Sequence, residues 1–308
     1  MEHSQLTSQT IYNAINIMPS TDANKIRQYE GIYISSRLLH ENKIEVADKD
    51  KQRPILLLAG TSIPIPDRVD LMKFFLRSGL EVATIANAMG TFFDTTINPK
   101  KDRVDSLSDY LDNLRETVGV RYVDVVAQSY SAFEIIRVLL GDPHKYQSFV
   151  KSLILINPPG LNDNIGLVSH CHRFVYHHVL RGLTKSFSAV DKPQEQEYKK
   201  NEVAGIINWT YNTLKTPPRT LREVLDIIDY KIRDSIRVLY ADYNYDINVF
   251  LQTDDQILPY QISLDALSDI LPPRNMRVVK GGHNDVFIQE SRRDELLGFL
   301  LGIRERSP

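Results

Sequence analysis

Short runs of consecutive apolar residues alternate with stretches of helical spacing along much of the chain. The runs lie at positions 55–59, 81–86, 122–127, 153–156, 249–251 and 277–279. Because several of them are apolar at consecutive rather than alternate positions, they are typical of strands covered on both faces, as in a parallel sheet. Between the runs, apolar residues recur at helical spacing, for example Leu107, Leu111 and Leu114. This order predicts an α/β fold with a mostly parallel central sheet flanked by helices.

The alternation breaks in the middle of the chain. From about residue 161 to 240 the pattern is helical without a clear buried strand, and apolar residues between Leu221 and Leu239 mostly recur at helical steps. This spacing indicates a long amphipathic helix, although residues 236–241 could instead form a strand. The predicted division is an N-terminal arm with the first strands, 1–50, a core, 51–160 and 241–308, and a helical cap inserted into that core, 161–240.

The two ends of the chain carry different patterns. Residues 1–30 are weakly patterned, which predicts a loose arm. Near the other end, Ser291 and Asp294 have the spacing of a capping box, which predicts a final helix that ends near Leu301.

A serine lies where the third of the apolar runs meets a helical stretch, in Ala127-Gln128-Ser129-Tyr130-Ser131. A serine on a tight strand-to-helix turn needs small residues two positions away on each side, because the turn is sharp and the helix packs closely against the sheet. The usual pattern is G-x-S-x-G. Here Ala127 and Ser131 keep the bulk low but lack the backbone freedom of glycine. The alternative interpretation is a serine that only caps a helix.

An acid and a histidine follow two later runs. The run at 249–251 leads to Asp254 and Asp255, with Pro259 beyond them, and the last run leads through a glycine pair to His283. Serine, acid and histidine in this chain order, each just past the end of a strand, is the order found in α/β-hydrolases.

On these motifs the chain resembles the α/β-hydrolase superfamily over roughly residues 50–303. The resemblance implies the fold of that superfamily, with the helical insertion in the place of its cap. It implies Ser129 as nucleophile, His283 as general base and then acid, and Asp255 as the carboxylate that orients the imidazole. The spacing to Pro259 favours Asp255 over the adjacent Asp254.

The resemblance also implies two donors for an oxyanion hole. One is the backbone N–H of Tyr130, directly after the serine. The other is the N–H of Thr61, in the loop that follows the first run, where many relatives have His-Gly and this chain has Ala59-Gly60.

Composition and charge limit the range of functions. The 308 residues are 42% hydrophobic and 25% charged, as in an ordinary globular protein. The net charge is -2 and no basic run is present, so we expect no nucleic-acid partner. The longest apolar run is far shorter than the roughly 20 residues that span a bilayer. The first residues lack the features of a secretory signal, and we expect a cytoplasmic protein without a membrane span.

One dense group of metal-ligating residue types lies in the predicted cap. Its members are His170, Cys171, His172, His177 and His178. No two of these histidines are three or four residues apart, so no two would be direct neighbours on one helix face. We expect neither a metal site nor a cofactor. Because Cys171 is the one cysteine, the chain cannot form an internal disulfide.

The leading interpretation is a serine hydrolase that cleaves a carboxylic ester or thioester of a small or acyl-chain substrate through an acyl-enzyme. A second interpretation keeps the same three residues but passes the acyl group to another acceptor or closes a ring, as in biosynthetic acyltransferases and cyclising thioesterases. A third is a non-catalytic binding protein of the same fold, motivated by the departures at Ala59, Ala127 and Ser131.

Overall fold

Strands from both halves of the chain join one central sheet. The computed structural model describes residues 26–29, 32–35, 53–60, 65–85, 103–116, 120–161 and 230–306. Within them, the sheet has eight strands in the order β1-β2-β4-β3-β5-β6-β7-β8. The strands are β1 (Ile26–Tyr29), β2 (Ile32–Ser35), β3 (Ile55–Leu58), β4 (Val82–Ile85), β5 (Val123–Gln128), β6 (Val150–Ile156), β7 (Ile247–Gln252) and β8 (Met276–Val279).

The six strands β4, β3, β5, β6, β7 and β8, given in their order across the sheet, are parallel to one another. The strands β1 and β2 join the sheet beside β4 and are antiparallel to their neighbours. Every residue of β3, β5 and β7 is buried. The runs that form β3, β5 and β7 therefore mark strands that are covered on both faces, whereas Arg277 and Val278 of the edge strand β8 are exposed. The prediction of a mostly parallel sheet is confirmed.

Helices cover both faces of this sheet. They are α1 (Ile65–Arg77), α2 (Arg103–Glu116), α3 (Tyr130–Gly141), α4 (Pro143–Gln147), α5 (Ile232–Ala241), α6 (Tyr260–Leu267), α7 (Asp285–Ile288) and α8 (Glu290–Arg306). Buried side chains of α2, α3, α5 and α6 form one core cluster with one face of the sheet, and those of α1, α7 and α8 form a second with the other face. None of the helices in the described ranges is long and apolar enough to cross a membrane.

Residues 236–241, which the sequence left open between helix and strand, are helical and belong to α5. Ile232, Ile236 and Leu239 of this helix are buried in the same core cluster as α3. Most of the proposed cap, 162–229, and the histidine cluster within it lie outside the described residues. The division into core and cap therefore stays a prediction.

The two ends of the chain differ from their predicted patterns. Residues 26–29 lie in the predicted loose arm but form β1, because their backbone pairs with β2. The last helix begins at Glu290 rather than after a cap at Ser291, since the Gln289 carbonyl already accepts the N–H groups of the first turn. It also continues past Leu301 to Arg306.

A buried ion pair holds the part of α8 that lies beyond Leu301. The Arg304 Nε donates to the Asp124 carboxylate over 2.7 Å, and Arg53 lies 3.6 Å from the other oxygen of that carboxylate. Burial raises the pKa of Asp124 in spite of both arginines, and burial lowers the pKa of Arg304. The desolvation of each charge is thus costly, and the carboxylate needs its partner.

Arg304→Met should reduce the free energy of unfolding by about 3–5 kcal/mol, because it removes one partner of a buried pair. The variant raises the pKa of Asp124 further, so the destabilisation is present above that pKa and is lost as the pH falls through it. Denaturant unfolding across the acidic to neutral range measures both effects. Arg237→Met, which breaks an exposed pair with Asp269, is the control and should change little. Equal losses in the two variants would contradict this account.

Candidate active site

Ser129 occupies the turn between the end of β5 and the start of α3. Its backbone has φ 54° and ψ −127°, a region that residues other than glycine rarely adopt. Two hydrogen bonds fix this turn: the Ser129 N–H donates to the Ile156 carbonyl, and the Ser129 carbonyl accepts from the Ala132 N–H, each over 2.9 Å. The serine side chain makes no capping bond to α3, so the alternative of a simple helix cap is wrong.

The two small residues that flank the serine fit the turn without glycine. Ala127 is fully buried in the core on β5. Ser131 is also fully buried, and its hydroxyl donates to the Ala59 carbonyl at the end of β3 over 2.6 Å. The departure from glycine at this second position therefore adds a bond between the turn and the neighbouring strand.

His283 lies within hydrogen-bond distance of Ser129 and Asp255. Its Nε2 is 3.0 Å from the Ser129 Oγ, and its Nδ1 is 2.6 Å from Oδ2 of Asp255. An ionised carboxylate only accepts, so an Nδ1–H donates to it and Nε2 is left to accept from the hydroxyl. The structure thus brings together the three side chains that the sequence analysis singled out.

Asp255 is held firmly in this position. Its side chain is fully buried, and Oδ1 accepts the backbone N–H groups of Ile257 and Leu258 over 2.9 and 2.8 Å. Asp254, by contrast, is exposed and accepts a hydrogen bond from the Thr253 hydroxyl. Of the two adjacent aspartates, Asp255 is the one that contacts the histidine.

Tyr130, one of the two expected oxyanion donors, directly follows the serine at the start of α3. Tyr130 is the first residue of α3, so its N–H lies at the N-terminal end of a helix, where partial positive charge favours an anion. Its ring is buried and stacks on Phe133 with centroids 5.4 Å apart. Thr61 lies outside the described residues, but Gly60, directly before it, is placed next to Ser129.

One residue of the site, Gln128, was not predicted from the sequence. Gln128 is buried at the last position of β5, and its side-chain amide bonds to Gly60 on one side and to His283 and Asn284 on the other. A polar residue that ends a fully buried strand, directly before the serine, is the signal that could have indicated it.

A metal centre is not formed by the part of the chain that the structure describes, since no group of three His, Cys, Asp or Glu side chains there could hold an ion. The site consists of a hydroxyl, an imidazole and a carboxylate in series, with the first residue of α3, Tyr130, directly after the serine. This arrangement is suited to nucleophilic attack by the serine with the histidine as base.

Comparisons with known proteins give likenesses of structure only. No protein-family model matches the sequence, and neither does any curated protein. A carboxylesterase from the thaumarchaeon Nitrososphaera gargenis is 16% identical, with a TM-score of 0.56 over 83% of this chain and 93% of that chain. A bacterial membrane phospholipase A is 13% identical, with a TM-score of 0.61 over 98% and 92% of the two chains.

A third structure, the meta-cleavage product hydrolase from Pseudomonas fluorescens IP01, is 16% identical, with a TM-score of 0.56 over 83% of this chain and 92% of that chain. Identities this low inform on the fold rather than on the reaction. The order of the strands, the helices on both faces of the sheet and these likenesses together show that the chain has the fold of the α/β-hydrolase superfamily.

Proposed function

We propose that this protein is a serine hydrolase that cleaves a carboxylic ester or thioester through an acyl-enzyme. The observation that carries the proposal is the series of two hydrogen bonds from Ser129 through His283 to Asp255, 3.0 and 2.6 Å long. A serine hydroxyl is a weak nucleophile at neutral pH, and a base within hydrogen-bond reach is what activates it.

In the first half of the reaction, Ser129 attacks the carbonyl carbon of the substrate while His283 accepts its proton. The negative charge that develops on the carbonyl oxygen is stabilised by the N–H of Tyr130 and, by the family resemblance, the N–H of Thr61. The C–O or C–S bond then breaks, and the imidazolium gives its proton to the departing alcohol or thiol. The acyl group stays on Ser129 as an ester.

In the second half, water attacks this ester while His283 accepts one of its protons, and the acid leaves as the serine regains its hydrogen. Asp255 orients the imidazole through both halves and stabilises the positive charge that forms on it. The backbone bonds from Ile257 and Leu258 keep that carboxylate in place.

The names of two similar structures, a carboxylesterase and a phospholipase A, favour a carboxylic ester as the bond that is cleaved. The departures from the usual pattern, which motivated a non-catalytic interpretation, do not disturb the turn: Ala127 packs into the core and Ser131 bonds to Ala59. Acyl transfer and ring closure would use the same acyl-enzyme. Product analysis with and without an acceptor amine or alcohol distinguishes them from hydrolysis.

A fluorophosphonate probe should label the parent protein and should not label Ser129→Ala. The probe reacts with a serine whose proton is removed by a neighbouring base, so labelling depends on the Ser129–His283 bond. In-gel fluorescence measures the labelling, and peptide mapping should locate the adduct on Ser129. A parent that stays unlabelled, or a Ser129→Ala variant that labels equally, would overturn the proposed function.

Asp255→Asn should lower kcat for a small activated ester by about 10⁴-fold, which is the loss expected when the carboxylate of such a triad becomes an amide and favours the wrong imidazole tautomer. The chain offers a matched control, because Asp254→Asn makes the same change one residue away on an exposed side chain. That control should keep the parent's rate. Similar rates in the two variants would show that Asp255 does not orient His283.

A further inference from the structure

We propose that Gln128 is a positioning residue that fixes two loops, one after β3 and one after β8, against the Ser129 turn. Its effect on the reaction rests on the proposed function, whereas the coupling of the loops is a property of the fold. Gln128 occupies the x position directly before the serine and is 1% exposed, so its amide must find its partners within the protein.

Both the oxygen and the nitrogen of the Gln128 side-chain amide make hydrogen bonds. Oε1 accepts the backbone N–H of Gly60 over 2.9 Å. Nε2 donates to the His283 carbonyl over 3.1 Å and to Oδ1 of Asn284 over 3.2 Å. One side chain therefore joins the strand that ends at the nucleophile to the segment that carries the base.

The hydrogen bond to His283 connects the ends of two strands that are not neighbours in the sheet. The histidine follows β8, which is separated from β5 by β6 and β7, so no strand pairing connects the two. Other bonds hold the histidine loop elsewhere: the Gly281 carbonyl accepts from Asp254, and the Gly282 N–H donates to Asp285. These connect the loop to the end of β7 and to its own next turn, whereas Gln128 connects it to β5.

The bond to Gly60 fixes the loop that leads to the expected second oxyanion donor. A Cβ added to Gly60 would lie 2.4 Å from Oε1 of Gln128 and 3.0 Å from the Cβ of Ser129, so the backbone approaches both residues too closely for a side chain. The Ser131 hydroxyl binds the preceding carbonyl, that of Ala59. Two side chains from the turn thus hold residues 59–60 beside the nucleophile.

This arrangement predicts that Gln128 affects the rate of reaction at Ser129 rather than the binding of the substrate. Misplacing a reacting group by about 1 Å can cost on the order of 10²-fold in rate. Loss of the amide would leave the Gly60 N–H and the His283 carbonyl without their buried partner, and both loops would be held less firmly against Ser129.

The principal test replaces Gln128 with Met, which has a similar length and no amide. We expect the rate of inactivation by a fluorophosphonate at saturating probe to fall by about 10²-fold, with the probe concentration for half-maximal rate unchanged. Hydrogen–deuterium exchange should rise in peptides that cover 53–60 and 279–286. The control is Asn275→Leu, which removes another buried amide, one that donates to the Ile247 carbonyl at the opposite end of β7. It should lower the melting temperature but leave the inactivation rate and exchange in both peptides unchanged.

A second variant separates the two sides of the coupling. Gln128→Glu keeps an acceptor for Gly60 but places a carboxylate oxygen against the His283 carbonyl and Asn284. Exchange should therefore rise in the peptide 279–286 and stay low in 53–60.

Gly60→Ala tests the same coupling from the other loop. The added methyl group has no room beside Gln128 and Ser129, so inactivation should slow as in Gln128→Met. Gly298→Ala is the matched control, because a Cβ there meets open space on α8, and it should inactivate at the parent's rate.

The outcomes test the role of Gln128 separately from the proposed serine hydrolase activity. Exchange in Gln128→Met that matches the parent in both peptides would overturn the coupling of the loops. An unchanged inactivation rate when exchange has risen would overturn the role of Gln128 as a positioning residue. If the parent itself does not react with the probe, the serine hydrolase proposal fails, while the exchange measurements still support or overturn the coupling of the loops.

Discussion

The backbone of Ser129 is the constraint on which the site depends. A residue with a side chain at φ 54° and ψ −127° costs on the order of 1–3 kcal/mol, and such a conformation persists only when its surroundings over-determine it. Here the surroundings are the bonds to Ile156 and Ala132, together with the ties that Gln128 and Ser131 make to the end of β3. Because of this conformation, the hydroxyl faces His283 instead of capping α3.

The parallel sheet provides the second condition. The carboxyl ends of parallel strands meet at one edge, so residues after β5, β7 and β8 can meet although they are far apart in the chain. Asp255 follows β7 and His283 follows the neighbouring β8, which places the carboxylate and the imidazole next to each other. The serine follows β5, which is separated from β8 by β6 and β7. The histidine loop must therefore extend past the ends of those two strands for His283 to contact Ser129. The hydrogen bond from Gln128 to the His283 carbonyl helps to hold the loop in this position.

The sequence was informative where local pattern and chain order carry the signal. The buried strands followed from consecutive apolar runs. Ser129, Asp255 and His283 followed from their places after three of those runs together with the family resemblance that this order carries. The features that could not be predicted depend on partners that are distant in the chain. The end of α8 contacts Asp124, and Gln128 contacts Gly60 and the histidine loop. β1 was missed because four residues with two polar ones in the middle have no distinctive period, and its pairing with β2 decides its structure.

A crystal structure of the protein after reaction with an alkyl fluorophosphonate would test most directly whether these elements form one catalytic centre. We expect phosphorus bonded to the Ser129 Oγ, and a phosphonyl oxygen about 2.7–3.1 Å from the Tyr130 backbone nitrogen. His283 should remain bonded to Asp255 with Nε2 facing the adduct. Phosphorus on another side chain, or a phosphonyl oxygen turned away from Tyr130 towards solvent, would contradict it.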